Sequence, residues 1–227
     1  MREKRLTARA FHDAGGVEEW RVLFWGAYAY YRAGSFAEGA RFVAAIADVA
    51  DALGHFPDVD LRPEGLTIRT FTREDGGLSN RDVELARQIS AVARTFQLES
   101  DPSELQVVGI AVAQDASTDA RPFWSAALGY DDFGGVDSVD RHRRNPNLSF
   151  QTLKKPRPGR GRLHVDVSVP ADQAEGRVAA ALAAGGRLAD DSHVPDWWTL
   201  ASPDNHGVDI AAWADFEDFE DFEDDEG

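Results

Sequence analysis

His55 stands between Gly54 and the pair Phe56-Pro57, in the stretch GHFPDVDLRPEGLTIRTFTREDGGLSNRD (54 to 82), where a helix gives way to a strand. An imidazole titrates near neutrality and can both give and take a proton, so a histidine on a rigid loop is a candidate general acid and base. Pro57 stops the preceding helix from continuing and fixes the loop. A second chemical pattern lies far downstream in RLHVDVSVP, where a strand puts Arg162, His164, Asp166 and Ser168 on one face and Leu163, Val165, Val167 and Val169 on the other. His164 and Asp166 therefore belong to a polar face, the other face packing on helices. The chain has no cysteine, so disulfides and thiolate chemistry are excluded and any metal needs His, carboxylate or carbonyl ligands.

The elements that position these residues can be read from periodicity and caps. Thr7 caps a short helix through His12, and EEWRVLFWGAYAYYRAG reads as two strands with a turn near Gly26. Ser35-Phe-Ala-Glu38 is a capping box, and Phe36, Ala40, Val43, Ala47, Ala50 and Leu53 recur at helical spacing up to Gly54. LTIRTFT (66 to 72) alternates as a half-buried strand, and Ser79-Asn-Arg-Asp82 opens a helix with the apolar face Val83, Ala86, Ile89, Val92, Ala93 and Phe96. Residues 1–97 thus form an α+β domain, an antiparallel sheet covered by helices. The polar stretch LESDPSEL predicts a linker at 98–104.

Over 105–213, LQVVGIAVA reads as a strand, DARPFWSAALGY as a helix and NLSFQTL as a strand; after the basic loop KKPRPGRGR come RLHVDVSVP (strand), ADQAEGRVAAALAAGG (helix) and the strand pair WWTLAS and HGVDIAAW. The second domain is two β-α-β-β modules. Trp124 is expected in its core. Adjacent strand residues face opposite ways, so one of Trp197 and Trp198 reaches the pocket or solvent, and Trp198 is assigned to the pocket.

Charge and composition narrow the function classes. A net charge of -16 argues against nucleic acid as partner, because phosphate neutralisation needs a basic surface. Nine acids sit in residues 214–227, ADFEDFEDFEDDEG, which reads as a solvated, disordered acidic tail. Its Phe216, Phe219 and Phe222 would line one face if a helix formed on a basic partner. No apolar run approaches the ~20 residues that span a bilayer, and the start lacks an apolar signal region, so no membrane association and a cytoplasmic location are expected. The basic residues Arg141, Arg143, Arg144, Lys154, Lys155, Arg157, Arg160 and Arg162 read as solvated loops, or as a seat for an anion or the acidic tail.

The Gly-His-x-Pro joint, the alternating strand and Gly-Gly-Leu-Ser-x-Arg-Asp (76 to 82) resemble the pterin-4a-carbinolamine dehydratase family over roughly residues 5 to 97. That resemblance implies a lyase that removes water from 4a-hydroxytetrahydropterin, with a reduced pterin (tetrahydrobiopterin type) as substrate. His55 matches the first histidine of the family's His-His-Pro motif and Asp82 the aspartate at the helix start, which would orient the site. Phe56 replaces the second histidine and Arg73 the third, so these two and Pro57 become substrate contacts. Phe56 can stack on a ring, and Arg73 can bind or polarise, but neither can act as a base near neutral pH. Asp58 or Asp60 is the natural helper for His55.

FWSAALGY, RLHVDV and SPDNHGVDI, within the paired modules, resemble the glyoxalase-like branch of the vicinal oxygen chelate superfamily over roughly 104 to 213. The resemblance implies a pocket between modules, formed here by His164, Asp166, Gln151, Asp209 and Trp198. His164 and Asp209 match two of its four metal positions, and Val108 and Gln151 the other two. Valine cannot ligate, so no metal is favoured and His164 is expected to hydrogen-bond Asp209 or Asp166; the alternative is a hard or borderline metal on His164 and Asp209, with the Gln151 oxygen and waters completing the shell. The implied reading is a dehydratase with an accessory glyoxalase-like domain. Two rivals are a ligand-binding or assembly protein whose sites have lost their chemistry, and a reaction carried by the second domain as a metal-dependent lyase or dioxygenase. A homo-oligomer is expected by resemblance.

Overall fold

The computed structural model describes residues 5–24, 26–74, 76–115, 121–122, 125, 130–153, 163–183, 185–201 and 207–212. Trp25, Trp124, the basic stretch 154–162 and the acidic tail lie outside the described residues, as does most of the helix expected over DARPFWSAALGY. The chain divides into two compact units, which part between Leu105 and Gln106.

In the first unit Thr7 accepts from the Ala10 N–H and caps α1 (Ala8–His12). β1 (Arg21–Leu23) and β2 (Gly26–Arg32) form a hairpin in which Leu23 pairs with Gly26. After α2 (Phe36–Leu53) come β3 (Asp58–Arg62), β4 (Gly65–Thr70) and α3 (Asn80–Phe96), and the sheet runs β1-β2-β4-β3, antiparallel throughout.

The buried face of α2 differs from the expected one. Gly39, Phe42, Ile46 and the expected Ala50 are buried and the expected Val43 and Leu53 pack partly buried against the core, whereas Phe36 is 55% exposed and Ala40 and Ala47 face solvent. The helix turns its bulkiest stripe inward, because burying Phe42 and Ile46 removes far more apolar area from water than burying alanines, about 1.5–3 kcal/mol for each large side chain. On α3 the expected Val83, Ala86, Ile89 and Ala93 are buried and the expected Val92 and Phe96 partly so, with Leu85 an added buried residue.

Ser90 of α3 is a buried polar hub. Its hydroxyl accepts from Trp20 Nε1 at 3.0 Å, donates to Glu19 Oε2 at 3.0 Å and lies 3.2 Å from the Tyr31 hydroxyl, whose own pKa burial pushes up to about 12. Residues 98–104 are fastened to β2: Ser100 bridges Tyr31, and Arg32 pairs with Asp101 and Glu104.

The second unit is one eight-stranded sheet, order β10-β11-β12-β9-β5-β8-β7-β6. Its strands are β5 (Val107–Asp115), β6 (Tyr130–Phe133), β7 (Asp137–Asp140), β8 (Asn147–Leu153), β9 (Leu163–Val169), β10 (Arg187–Asp190), β11 (Trp197–Ala201) and β12 (Gly207–Ala212). β5 pairs with β8 and β9 with β12 in parallel, and the two pairs join through antiparallel β5 and β9. Helix α4 (Ala171–Ala183) buries Ala174 and Val178 against Val169, Leu200 and Ile210. The β6–β7 hairpin, unanticipated in the sequence, turns at Gly134 and Gly135, both at positive φ (65° and 77°).

Candidate functional site

The first site is built around one carboxylate. Ser79 caps α3, and Asp82, at the third helical position, closes the capping box by accepting from the Ser79 N–H at 2.8 Å. The same Asp82 Oδ2 accepts from Thr72 Oγ1 at 2.6 Å and Ser79 Oγ at 3.1 Å, while Oδ1 accepts from Thr70 Oγ1 at 2.5 Å and His55 Nε2 at 2.8 Å. Asp82 is fully buried and His55 only 6% exposed. Burial by itself acts to raise the Asp82 pKa, but the donors from His55, Thr70, Thr72 and the Ser79 backbone together outweigh it and hold the group below the ordinary carboxylate value. With the carboxylate ionised, the proton on the shared edge belongs to His55 Nε2, which leaves the lone pair on Nδ1.

The histidine is delivered by the end of α2. Gly54 adopts the left-handed conformation (φ 60°), the His55 N–H bonds to the Ala50 carbonyl, and Arg81 reaches back to donate to the Gly54 carbonyl at 2.7 Å. His55 and Asp82, named from the sequence, are thus brought together. Phe56, beside His55, is 66% exposed, and Arg73 is exposed on the turn that follows β4.

Asp58 and Asp60 do not help His55. Asp58 pairs with Arg69 at 3.1 Å and Asp60 with Arg62 at 2.9 Å. Both stand opposite Arg69 and Thr67 on β4, and strand alternation puts those residues on the sheet face away from Thr70. Sequence reading missed Thr70 and Thr72. The signal was there, since both continue the parity of Leu66 and Ile68 and so fall at buried positions, where a hydroxyl requires a partner.

The second site lies on the sheet face opposite α4. Asp209 of β12 pairs in register with Asp166 of β9, and Gly207 with His164, so all share that face. His164 Nδ1 lies 3.2 Å from Asp209 Oδ2, and one ligating atom from each of His164, Asp166 and Asp209 falls within 4.8 Å of the others. His164 Nε2, Asp166 Oδ1 and Asp209 Oδ1 are buried without a hydrogen-bond partner. Burial, followed by Asp209 and Asp137, pushes Asp166 up to about 7; burial likewise takes Asp137 to about 6, against the pull of Arg121.

Three residues expected at this pocket lie away from it. Trp198 pairs with Ile210 and packs into the core beneath α4, because β11 turns Trp197 and not Trp198 to the His164 face. Val108 pairs with Val167 on that same helix side. Gln151 shares the face of His164 but is exposed and sits beside Ala113 on β8, two strands across and two residues along. At ~4.8 Å per strand and ~3.3 Å per residue that is roughly 12 Å between backbones, too far for a shared ion.

Comparison with known proteins places both halves. Residues 4–92 match the pterin 4 alpha carbinolamine dehydratase family, and residues 109–211 match the glyoxalase-like domain. The chain joins a carbinolamine-dehydratase-like domain to a glyoxalase-like one. Relatives named after pterin-4-alpha-carbinolamine dehydratase include one from Nocardia farcinica (strain IFM 10152), 41% identical over 63 residues, and one from Roseiflexus sp. (strain RS-1), 40% identical over 58. These stretches are 28% and 26% of this chain and span 66% and 62% of the relatives' lengths. A solved structure described as a transcriptional coactivator/pterin dehydratase from Brucella melitensis is 22% identical with a TM-score of 0.38, covering 40% of this chain and 99% of its own. Among the described residues no helix is long and apolar enough to cross a membrane.

Proposed function

We propose that the dehydratase-like domain is a lyase that removes water from 4a-hydroxytetrahydropterin, with His55 as its acid and base. The observation that carries the reading is the buried 2.8 Å contact between His55 Nε2 and Asp82 Oδ1. An ionised Asp82 holds the Nε2 proton, so His55 Nδ1 takes the ring proton, and the resulting imidazolium, steadied by Asp82, returns it to the departing 4a-hydroxyl. The C4a–O bond breaks, water leaves and the quinonoid dihydropterin remains. Because the proton removed equals the proton delivered, one histidine can serve both steps in turn. Phe56 offers an exposed ring for stacking on the pterin, and Arg73 offers N–H donors to its polar edge.

The test is the rate of quinonoid dihydropterin formation by wild type, His55→Ala and the double variant Phe56→His/Arg73→His. His55→Ala should lose at least ~10²-fold, and the double variant should gain at least ~10-fold, since one positioned acid or base is worth ~10²–10⁴. Equal rates for wild type and His55→Ala would remove His55 from the chemistry. The second reading, a binding or assembly module, is favoured by Phe56 and Arg73 standing where histidines were expected; it prevails if every variant binds reduced pterin without turning it over. Failure of every variant to bind reduced pterin would sink the dehydratase reading.

A further inference from the structure

We propose that His164, Asp166 and Asp209 form a divalent-metal site built from β9 and β12 alone, without a ligand from the other half of the sheet. It is independent of the dehydratase reading. The four-position pattern expected from sequence divides its ligands between both modules, but the register excludes that arrangement here, with Val108 on the opposite face and Gln151 displaced along β8. Asp166, two residues beyond His164 on the same face, supplies the missing third donor.

The geometry fits an ion. Donors at ~2.1 Å from a common metal lie roughly 3.0–3.4 Å apart when adjacent and about 4.2 Å apart when opposite. The 3.2 Å between His164 Nδ1 and Asp209 Oδ2 falls within the adjacent range, and the whole set lies within 4.8 Å, so closing it around one ion needs a movement of at most about 0.6 Å. Each carboxylate also carries a buried oxygen with no hydrogen-bond partner. Two aspartates directly paired on neighbouring strands repel unless a positive charge lies between them, and a divalent cation satisfies both carboxylates at once.

Gly207 is part of the construction. A Cβ there would fall 2.1 Å from His164 Cδ2 and 2.2 Å from Nε2, so the imidazole lies against bare backbone, and any side chain at 207 would push it off the carboxylates. One neutral imidazole and two carboxylates suit hard or borderline divalent ions such as Mn²⁺, Co²⁺ or Zn²⁺ and leave further coordination positions to water or to an oxygen-bearing substrate.

The test uses untagged, chelator-treated full-length protein titrated with Mn²⁺ by calorimetry and with Co²⁺ by visible absorption, with circular dichroism confirming that each variant is folded. Wild type should bind one equivalent in a manner lost in His164→Ala and weakened at least 10-fold in Asp166→Asn and in Gly207→Ala, while Gln151→Ala binds as wild type. Absence of binding by folded wild type would overturn the proposal. So would retention in His164→Ala, which would assign the metal to acidic surface or tail. Wild-type affinity in Asp166→Asn would remove the third ligand, and a loss in Gln151→Ala would restore a site shared between modules.

Discussion

Replacing Asp82 with asparagine exchanges one carboxylate oxygen for an amide NH2 while keeping the shape. Five donors now converge on the carboxylate, two at Oδ1 and three at Oδ2. Placing the NH2 at Oδ2 would set it against the Ser79 N–H, which cannot turn away. The less costly orientation therefore puts the NH2 at Oδ1, where Thr70 can rotate and His55 must present a lone pair at Nε2. That moves the imidazole proton to Nδ1, the nitrogen assigned to the base. Hydrogen bonds to a buried charge are worth about 1.5–3 kcal/mol each. Two are lost or weakened, and the desolvation cost of the charge is relieved, so the net destabilisation is expected to be about 2–4 kcal/mol at pH 7. The Asp82 pKa is depressed, so the stability it contributes is present above the unfolded value near ~3.9 and drains away as pH falls through the folded one. The gap between wild type and Asp82→Asn should accordingly narrow in acid. Urea unfolding of the full chain at pH 7 and pH 3, read by hydrogen exchange at the amides of Val83–Ala93, measures both quantities. A difference below ~1 kcal/mol at pH 7, or one that persists undiminished at pH 3, would refute the reasoning.

Two further outcomes are expected. Tyr31 is 1% exposed and its pKa stands at about 12, so the unfolded chain ionises it first; stability should be intact below pH 10 and fall by about 3 kcal/mol towards pH 12, an alkaline loss that Tyr31→Phe should reduce in urea titrations. Deleting residues 214–227 should leave the melting temperature within a few degrees of wild type, because nine acids in fourteen residues resist burial; a larger fall in calorimetry would show that the segment docks.

Much of the first unit was legible because its signals are local. Thr7, Ser35 and Ser79 each cap the helix expected from them, and the joint at Gly54–Pro57 turns where a left-handed cap and a proline require it. The rotation of α2 was not, since both candidate stripes have helical spacing and the choice depends on which side chains fill the space against the sheet. In the second unit strand parity placed His164, Asp166 and Ser168 on one face, but which residues lie across from them depends on register, a property of pairs of strands. Val108 was misplaced for that reason, and Trp198 because parity alone cannot say which of two faces is the pocket. The strands β6, β7 and β10 lack apolar alternation, every residue of β10 being exposed, so nothing in their own sequence marked them.

Besides the arginine contacts of Arg81, Arg87 and Arg94, helix α3 carries two buried polar anchors, at its first turn through Asp82 and a little over two turns further along through Ser90. An apolar stripe alone would let a helix roll or slide by a fraction of a residue in its groove at little cost. Two directional fasteners, each a buried hydrogen-bonded group, remove both freedoms at once. The angle at which α3 presents its carboxylate to His55 is therefore a property of the whole unit, and warming should show no pre-transition in which the histidine wanders while the sheet stays intact. The site should disappear in the same cooperative step as the fold that carries it.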